Sequence, residues 1–368
     1  MRKMIIAAFI LIFAAGGLFA VDVTATLPGV TYLGNPVDIS ALSADLDLAI
    51  ADATTELQRF DEMDDLARGF SNANSYAADA ATTRGLMGYK FLTVAVGTMV
   101  GFQMPSNSAE ALGDTISTIE NDGDAYFGAG YQALVVSVGL NAGFLVDGLY
   151  LTGKIGKFSV DTDDISYDSF VFGLLANYQL VDPFSIGILK WRGLQVGSGI
   201  VYYKTVAEMT LEVDPVATPV SIDPDGAGGI PAQATNLYLD PTIVAEITSS
   251  GFKIPVDLIT GIRLFWIANL SFGLGVDMNL GGSSEIALKA DGTTYVGDEL
   301  TAVGAVVTPG DVKVNGGTDG DGADLFRLRA MAGIGFGLGP LKIDIPFTYY
   351  FDGTGLGTNI GLTGALTL

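Results

Sequence analysis

Residues 252–280 read FKIPVDLITGIRLFWIANLSFGLGVDMNL. Two alternating runs flank an aromatic turn. In the first, Phe252, Ile254, Val256, Leu258, Ile262 and Leu264 share one face, against Lys253, Asp257 and Arg263. In the second, Leu270, Phe272, Leu274, Val276, Met278 and Leu280 oppose Ser271, Gly273, Gly275, Asp277 and Asn279. Period-two alternation is the signature of a strand with two unlike faces. Strands of a soluble sandwich run to about 5–6 residues. Runs of about ten are what a tilted strand needs to cross a bilayer. A secreted soluble all-β domain is the competing reading, but its wet face would be charged rather than glycine-rich.

The same pattern recurs on both sides of this stretch. Leu92, Val94, Val96, Val100 and Phe102 alternate with Thr93, Ala95, Gly97, Gly101 and Gln103. Leu134 to Phe144, Leu149 to Ile155, Phe170 to Tyr178 and Leu194 to Tyr202 do likewise. Beyond the quoted stretch, Phe326 to Phe336 faces Arg327 and Arg329 across the strand, Leu341 to Tyr349 faces Lys342 and Asp344, and the chain ends on Ile360 to Leu368. Short connections fall at 146–148, 266–269 and 338–340. Longer ones are expected near 105–124, 156–167, 205–237 and 290–325, and a small one at 351–357. Short turns at one end and long loops at the other is the asymmetry of membrane barrels. About ten strands emerge, or twelve if Val21–Leu27 and Leu237–Ile247 are added. An even count places both chain ends in the periplasm. Phe265, Trp266, Phe184 and Trp191 suggest one interfacial girdle, and Tyr349, Tyr350 and Phe351 the other.

Composition agrees. The chain is 49% hydrophobic and contains 49 glycines, with a mean hydropathy of +0.43. Outside the extreme N-terminus it has no run of 18 apolar residues, so a helical span is ruled out there. A closed barrel remains as the way to cross a bilayer with every backbone group paired. Arg2, Lys3, the apolar run Met4–Ala15 and the small residues ending at Ala20 have the layout of a cleaved secretory leader. The absence of cysteine rules out a lipoprotein anchor, disulfides and thiolate metal sites. The absence of histidine removes histidine-based catalysis and His-ligated zinc. A formal charge of −23 speaks against nucleic acid as a partner.

Residues 21–88 differ from the rest. After Asn35-Pro36, apolar residues from Ile39 to Phe60 recur every three or four positions, with acids on the other face. This predicts an amphipathic acidic helix over 38–68, ending near Arg68-Gly69, followed by a weak helix or linker over 71–83. The domain division expected is therefore a leader at 1–20, a helical plug or periplasmic segment at 21–88, and a barrel at 89–368. The fold class is all-β, a transmembrane antiparallel up-and-down barrel of about 10–12 strands.

Leader, alternating ten-residue segments and terminal strand together resemble bacterial outer-membrane β-barrel proteins of porin-like type. That resemblance implies an outer-membrane location, with membrane lipid and the assembly machinery as partners. The usual terminal aromatic of that class is replaced by Leu368. The glycine-rich strands and acidic loops resemble outer-membrane proteins of spirochaetes. Asn35-Pro36 ahead of a helix resembles the N-terminal hatch of long-chain fatty-acid transporters.

With apolar faces toward lipid, Lys154, Lys253, Asp257, Arg263, Asp277, Arg327, Arg329, Lys342 and Asp344 point into the lumen. They would form either an electrostatic constriction favouring anionic or amphiphilic solutes, or a set of internal ion pairs. Asp45, Asp52 and Glu56 of the acidic helix are candidates to meet Arg327 and Arg329. No cofactor is expected: Asp319, Asp321 and Asp324 alternate with glycines in a way that could suit Ca²⁺, but a plain acidic surface loop is the better account of them. The function these features suggest is a non-enzymatic narrow porin or transporter of small solutes. A surface-exposed adhesin-like interaction protein and a structural barrel are the alternatives.

Overall fold

A computed structural model of the chain describes residues 22–47, 50–51, 64–82, 91–104, 126–162, 165–212, 215–223, 232–351 and 355–368. The stretch 1–20 expected as a leader lies outside the described residues. In chain order the strands are β1 (Asp22–Ala25), β2 (Gly29–Tyr32), β3 (Asn35–Pro36), β4 (Leu92–Met104), β5 (Gly128–Asn141), β6 (Leu149–Asp161), β7 (Ile165–Val181), β8 (Phe184–Ile186), β9 (Leu189–Glu212), β10 (Val216–Ile222), β11 (Gln233–Leu264), β12 (Ala268–Val296), β13 (Ala305–Thr308), β14 (Gly310–Asp321), β15 (Phe326–Leu338), β16 (Leu341–Phe351) and β17 (Leu356–Thr367). Helix α1 (Asp64–Ala77) precedes β4, and the short α2 (Glu299–Ala302) follows β12.

Among the described residues ten strands close a ring: β4, β5, β6, β7, β9, β11, β12, β15, β16, β17 and back to β4. Every pairing is antiparallel. The alternation read from sequence sets which face is which. Phe272, Leu274, Leu328 and Ile360 are exposed on the outside, whereas Lys253, Asp277, Arg327 and Arg329 are buried within. Apolar outside and polar inside is stable only where lipid replaces water. Aromatics gather at both rims. Phe184 packs against Trp191 with ring centroids 5.1 Å apart at a 60° tilt at the short-turn end, and Tyr202 lies 5.0 Å from Phe252 at the other. Tyr350, expected in the second rim, points into the lumen instead and is fully buried.

Three strands are far longer than a membrane requires. β9 has 24 residues, β12 has 29 and β11 has 32. At roughly 3.3 Å per residue, β11 is about 105 Å long, against a hydrocarbon core of about 30 Å. Along β11 the odd-numbered residues face inward throughout, but their chemistry changes. Leu237, Leu239, Ala245 and Ile247 are buried and apolar, whereas Lys253 and Asp257 continue the same face. Past Ser249–Gly251 the strand therefore leaves lipid and enters water, where the apolar side must turn inward. In β12 the crossing is marked by a bulge. Phe252 pairs with Leu280 but Ser250 with Ser283, and Gly281 adopts a left-handed φ of 57°. The irregularity lets Asn279 and Ser284 both face inward.

This extension also holds β10 on β11, β14 on β12 and β1 on β14. The small sheet β13-β2-β3 and α2 complete it. Val30, Leu42, Leu46, Ile222, Leu237, Val296 and Leu300 form its apolar core. The stretches 156–167, 205–237 and 290–325, expected as loops, are thus largely strand. β6 and β7 form a tight hairpin, and Leu237–Ile247 belongs to β11 rather than to an extra transmembrane strand. The expected loop at 105–124 lies outside the described residues.

The two ends of the chain are not on one side. β1 sits in the extension, paired with β14. Phe91 sits at the short-turn end, where its N–H donates to the Leu368 carbonyl. Between them α1 lies inside the ring. The expected helix at 38–68 is met in part. A 3-10 turn covers Ser40–Leu42, residues 43–47 and 50–51 are helical, residues 52–63 are outside the described set, and α1 runs past Gly69 to Ala77, into the stretch expected as a weak helix or linker.

The membrane boundary has a measurable consequence. Leu274→Arg, outward at mid-belt, should destabilise the barrel by about 2–4 kcal/mol. Glu285→Arg, outward on the extension, should change stability by under about 0.5 kcal/mol. Denaturant unfolding in lipid vesicles compares the two.

Candidate functional site: the filled lumen

α1 contains Gly69, Ser71, Asn72, Asn74 and Ser75, poor helix formers. It forms because the barrel wall takes up its polar groups. Ser71, Asn72, Asn74 and Ser75 are fully buried. Thr205 donates to Asn74 Oδ1 at 2.9 Å, Ser249 to Ser71 Oγ at 3.0 Å, and Ser75 to Asn279 Oδ1 at 2.9 Å. Glycines in the wall let the helix approach. A Cβ on Gly101 would lie 2.2 Å from the Ala73 carbonyl oxygen, and one on Gly130 would lie 2.6 Å from it. The inward glycines of β4 and β5 are the space that the helix occupies.

Asp79, just past the helix, is the centre of the charge network. Lys253 Nζ meets Asp79 Oδ1 at 2.6 Å, and Arg329 Nη1 meets Asp79 Oδ2 at 2.7 Å. Arg329 also reaches Asp257 at 2.6 Å and Asp277 at 3.1 Å, while Lys253 lies 3.7 Å from Asp277. Tyr350 donates its hydroxyl to Asp79 at 3.3 Å and stacks on Tyr76 with centroids 3.8 Å apart. Gly275 stands between Asp257 and Arg329 in the β11–β12–β15 register. A Cβ there would fall 2.4 Å from Asp257 Oδ1, so glycine leaves the gap this ion pair crosses.

Two further anchors flank this centre. Toward the extension, Arg327 binds Asp324 and Tyr126, and Asn72 of α1 donates to Asp324 at 3.0 Å and to Tyr126 at 2.6 Å. Toward the turns, Lys154 donates to the Ala78 carbonyl at 2.5 Å and Ser137 to that of Ala81 at 3.0 Å. Lys154 thereby meets the negative end of the helix dipole.

All nine lumen candidates are therefore on the inner face. Lys154, Lys253, Asp257, Asp277, Arg327 and Arg329 join the network just described, and Asp344 is fully buried beside Gly335. Arg263 and Lys342 lie apart, at the short-turn mouth. Of the plug candidates, Asp45 sits in the extension beside the core residues Leu42 and Leu46, whereas the carboxylate partners of Arg329 are Asp79, Asp257 and Asp277. Asp52 and Glu56 lie outside the described residues. The plug carboxylate is Asp79, which the sequence marks only as a lone acid within AADAA at 77–81. Asp319 and Asp321 belong to strand β14 rather than to a loop, and Asp324 is taken by Arg327. Among the described residues no group of three or more acids is disposed to hold a metal ion.

At the short-turn mouth a vestibule of about 650 Å³ opens below the plug. Lys190, Arg192, Arg263 and Lys342 line it, with Asp147 and Asp182.

A closed antiparallel ring with a lipid-facing apolar belt and a charged, helix-filled interior defines an outer-membrane β-barrel protein. The sequence matches the Lsa36-like family over residues 23–365, and the chain belongs to that family. No curated protein matches it. Among solved structures, the toluene transporter TbuX of Ralstonia pickettii is 11% identical, with 83% of this chain and 97% of that one covered and a TM-score of 0.27. The translocator domain of the autotransporter NalP from Neisseria meningitidis is 11% identical, covering 90% and 98%, with a TM-score of 0.29. A Pseudomonas aeruginosa FadL homologue is 8% identical, covering 82% and 95%, with a TM-score of 0.22. The barrel rests on this chain's own strand pairing and not on these likenesses.

Removing one member of a buried charge network leaves its partners uncompensated, at about 3–5 kcal/mol. Arg329→Ala should therefore sharply lower the temperature at which the folded, fast-migrating gel band converts to the unfolded one. Lys289→Ala breaks only the exposed pair with Glu246, worth about 0–1 kcal/mol, and should leave that temperature nearly unchanged.

Proposed function

We propose that the protein is exported by its leader, cleaved near Ala20, inserted into the bacterial outer membrane by the assembly machinery there, and serves as a plugged channel for small solutes. The observation that carries this reading is the ionic anchorage of Asp79 to Lys253 and Arg329. A permanent filler would be served as well by apolar packing, since exchanging a buried ion pair for well-packed hydrophobic residues is often neutral or stabilising. Hydrogen bonds and ion pairs can instead be traded for water when the segment shifts. In this reading Lys154, Lys253, Arg327 and Arg329 hold the plug, and the constriction expected from sequence exists only while the plug is displaced. The chemistry is non-enzymatic: histidine and cysteine are missing from the sequence, and Asp79, Asp257, Asp277 and Asp324 are each engaged by a cation.

A second reading has its own support. The extension built on β9, β11 and β12 is a folded body with a separate apolar core. Short turns face the periplasm in barrels of this class, which would put the extension outside the cell as a surface for interaction.

The plug is testable by cross-linking. A Cβ on Gly320 would lie 2.7 Å from the Ala67 Cβ, so the helix and β14 must part by about 1 Å to take the ~3.8 Å Cβ separation of a disulfide, and the chain has no cysteine of its own. An oxidised Ala67→Cys/Gly320→Cys barrel should be silent in planar bilayers and gain channel openings on reduction. Asp79→Asn in the otherwise unchanged chain should raise open probability. Equal conductance of the oxidised and reduced forms would remove plug movement as the route.

A further inference from the structure

We infer that the short-turn vestibule is a binding site for a phosphate group. It needs only the closed barrel and holds whether or not the plug moves. Four of the chain's 18 lysines and arginines converge there: Lys190 and Arg192 from β9, Arg263 from β11 and Lys342 from β16. Among the described residues none of the four forms an ion pair. Arg263 donates through Nε to the neutral Asn269 at 3.0 Å. Lys154, Lys253, Arg327 and Arg329, higher in the same lumen, are all engaged. The carboxylates of the vestibule, Asp147 and Asp182, line it without pairing with these cations.

The backbone is bent to make this arrangement. Along β9 the even-numbered Leu194, Val196 and Ile200 face lipid, so an unbroken strand would turn Lys190 and Arg192 outward too. Gly193 adopts a left-handed φ of 78°, and any Cβ there would lie 2.0 Å from the Val181 carbonyl oxygen. Past that bulge Trp191 takes the outward side, donating to Thr260 at 2.9 Å and packing at a tilt against Phe184. Lys190 and Arg192 turn inward as a result. The register then sets Lys190 directly opposite Arg263. Like charges facing across a strand pair are destabilising, and a doubly charged oxyanion between them reverses the sign. Guanidinium forks flanked by lysines suit the tetrahedral oxygens of phosphate. The group could be borne by a free solute or by a lipid headgroup.

The test is calorimetric titration of the intact folded barrel with inorganic phosphate, in phosphatidylcholine nanodiscs at constant ionic strength. The expected result is saturable binding, weakened at least tenfold in Arg192→Gln/Arg263→Gln and unchanged in Lys289→Gln. Because the double variant relieves repulsion, it should unfold at a temperature no lower than the parent and lose the upward shift that phosphate gives the parent. Repeating the titration with phosphatidylglycerol in the nanodisc separates the sources. Binding lost there means that the headgroup takes the site, and binding retained means a free phosphate solute. Absence of saturable binding in phosphatidylcholine, or equal binding by parent and double variant, overturns the assignment. Neither result touches channel opening, so this proposal and the plug fail separately.

Discussion

Inside hydrocarbon no water is available to a backbone N–H or C=O, so each strand must find a partner on both sides. The return of β17 to β4 meets that demand, and Leu368 contributes by accepting from Phe91 and Leu92 and donating to Leu92. Everything else follows from closure. Each strand acquires a lipid face and a lumen face, and the alternation of apolar and polar residues is the record of those faces. Eight strands already enclose a space that side chains fill. Ten strands with glycine-rich inner faces enclose more, and α1 with Asp79 occupies it.

The polarity of that interior is graded along the barrel axis. In the extension the inner face is apolar, with Leu66, Phe70, Ile247, Ile286 and Leu288 packed together, as in any protein surrounded by water. At membrane depth the inner face carries the Asp79 network, where cations and carboxylates compensate one another in a region that could not hold either alone. At the short-turn mouth the cations outnumber the acids and, among the described residues, form no ion pair. The same inward-facing positions thus serve three different ends, according to what lies outside them.

Much of this was legible in the sequence. The membrane strands, their inward and outward faces and all nine lumen-facing charges follow from period-two alternation in residues such as Phe272 and Asp277. The extension was not legible as strand, because outside lipid the outward face of β11 carries Glu246 and Thr248, and the aspartates and glycines of β14 read as loop. The helix inside the lumen was legible only as a weak helix or linker over 71–83, for a related reason. Ser71, Asn72, Asn74 and Ser75 have low helix propensity, and only the polar wall around them makes the helix form. Asp79 carries no local signal of its role. Its importance comes from Lys253 and Arg329, 174 and 250 residues further along the chain. The threading of the chain was misread because an even strand count fixes only where the barrel begins and ends, and β1 lies before the barrel starts.

That threading is the central claim, and side-specific labelling tests it most directly. Leu33, exposed in the turn between β2 and β3, and Gly339, in the short turn between β15 and β16, can each be made the sole cysteine. A membrane-impermeant maleimide applied to intact cells should label Leu33→Cys at once and Gly339→Cys only after the outer membrane is permeabilised. Labelling of both only after permeabilisation would place the N-terminal segment on the short-turn side and contradict a chain that enters its own barrel from the far end.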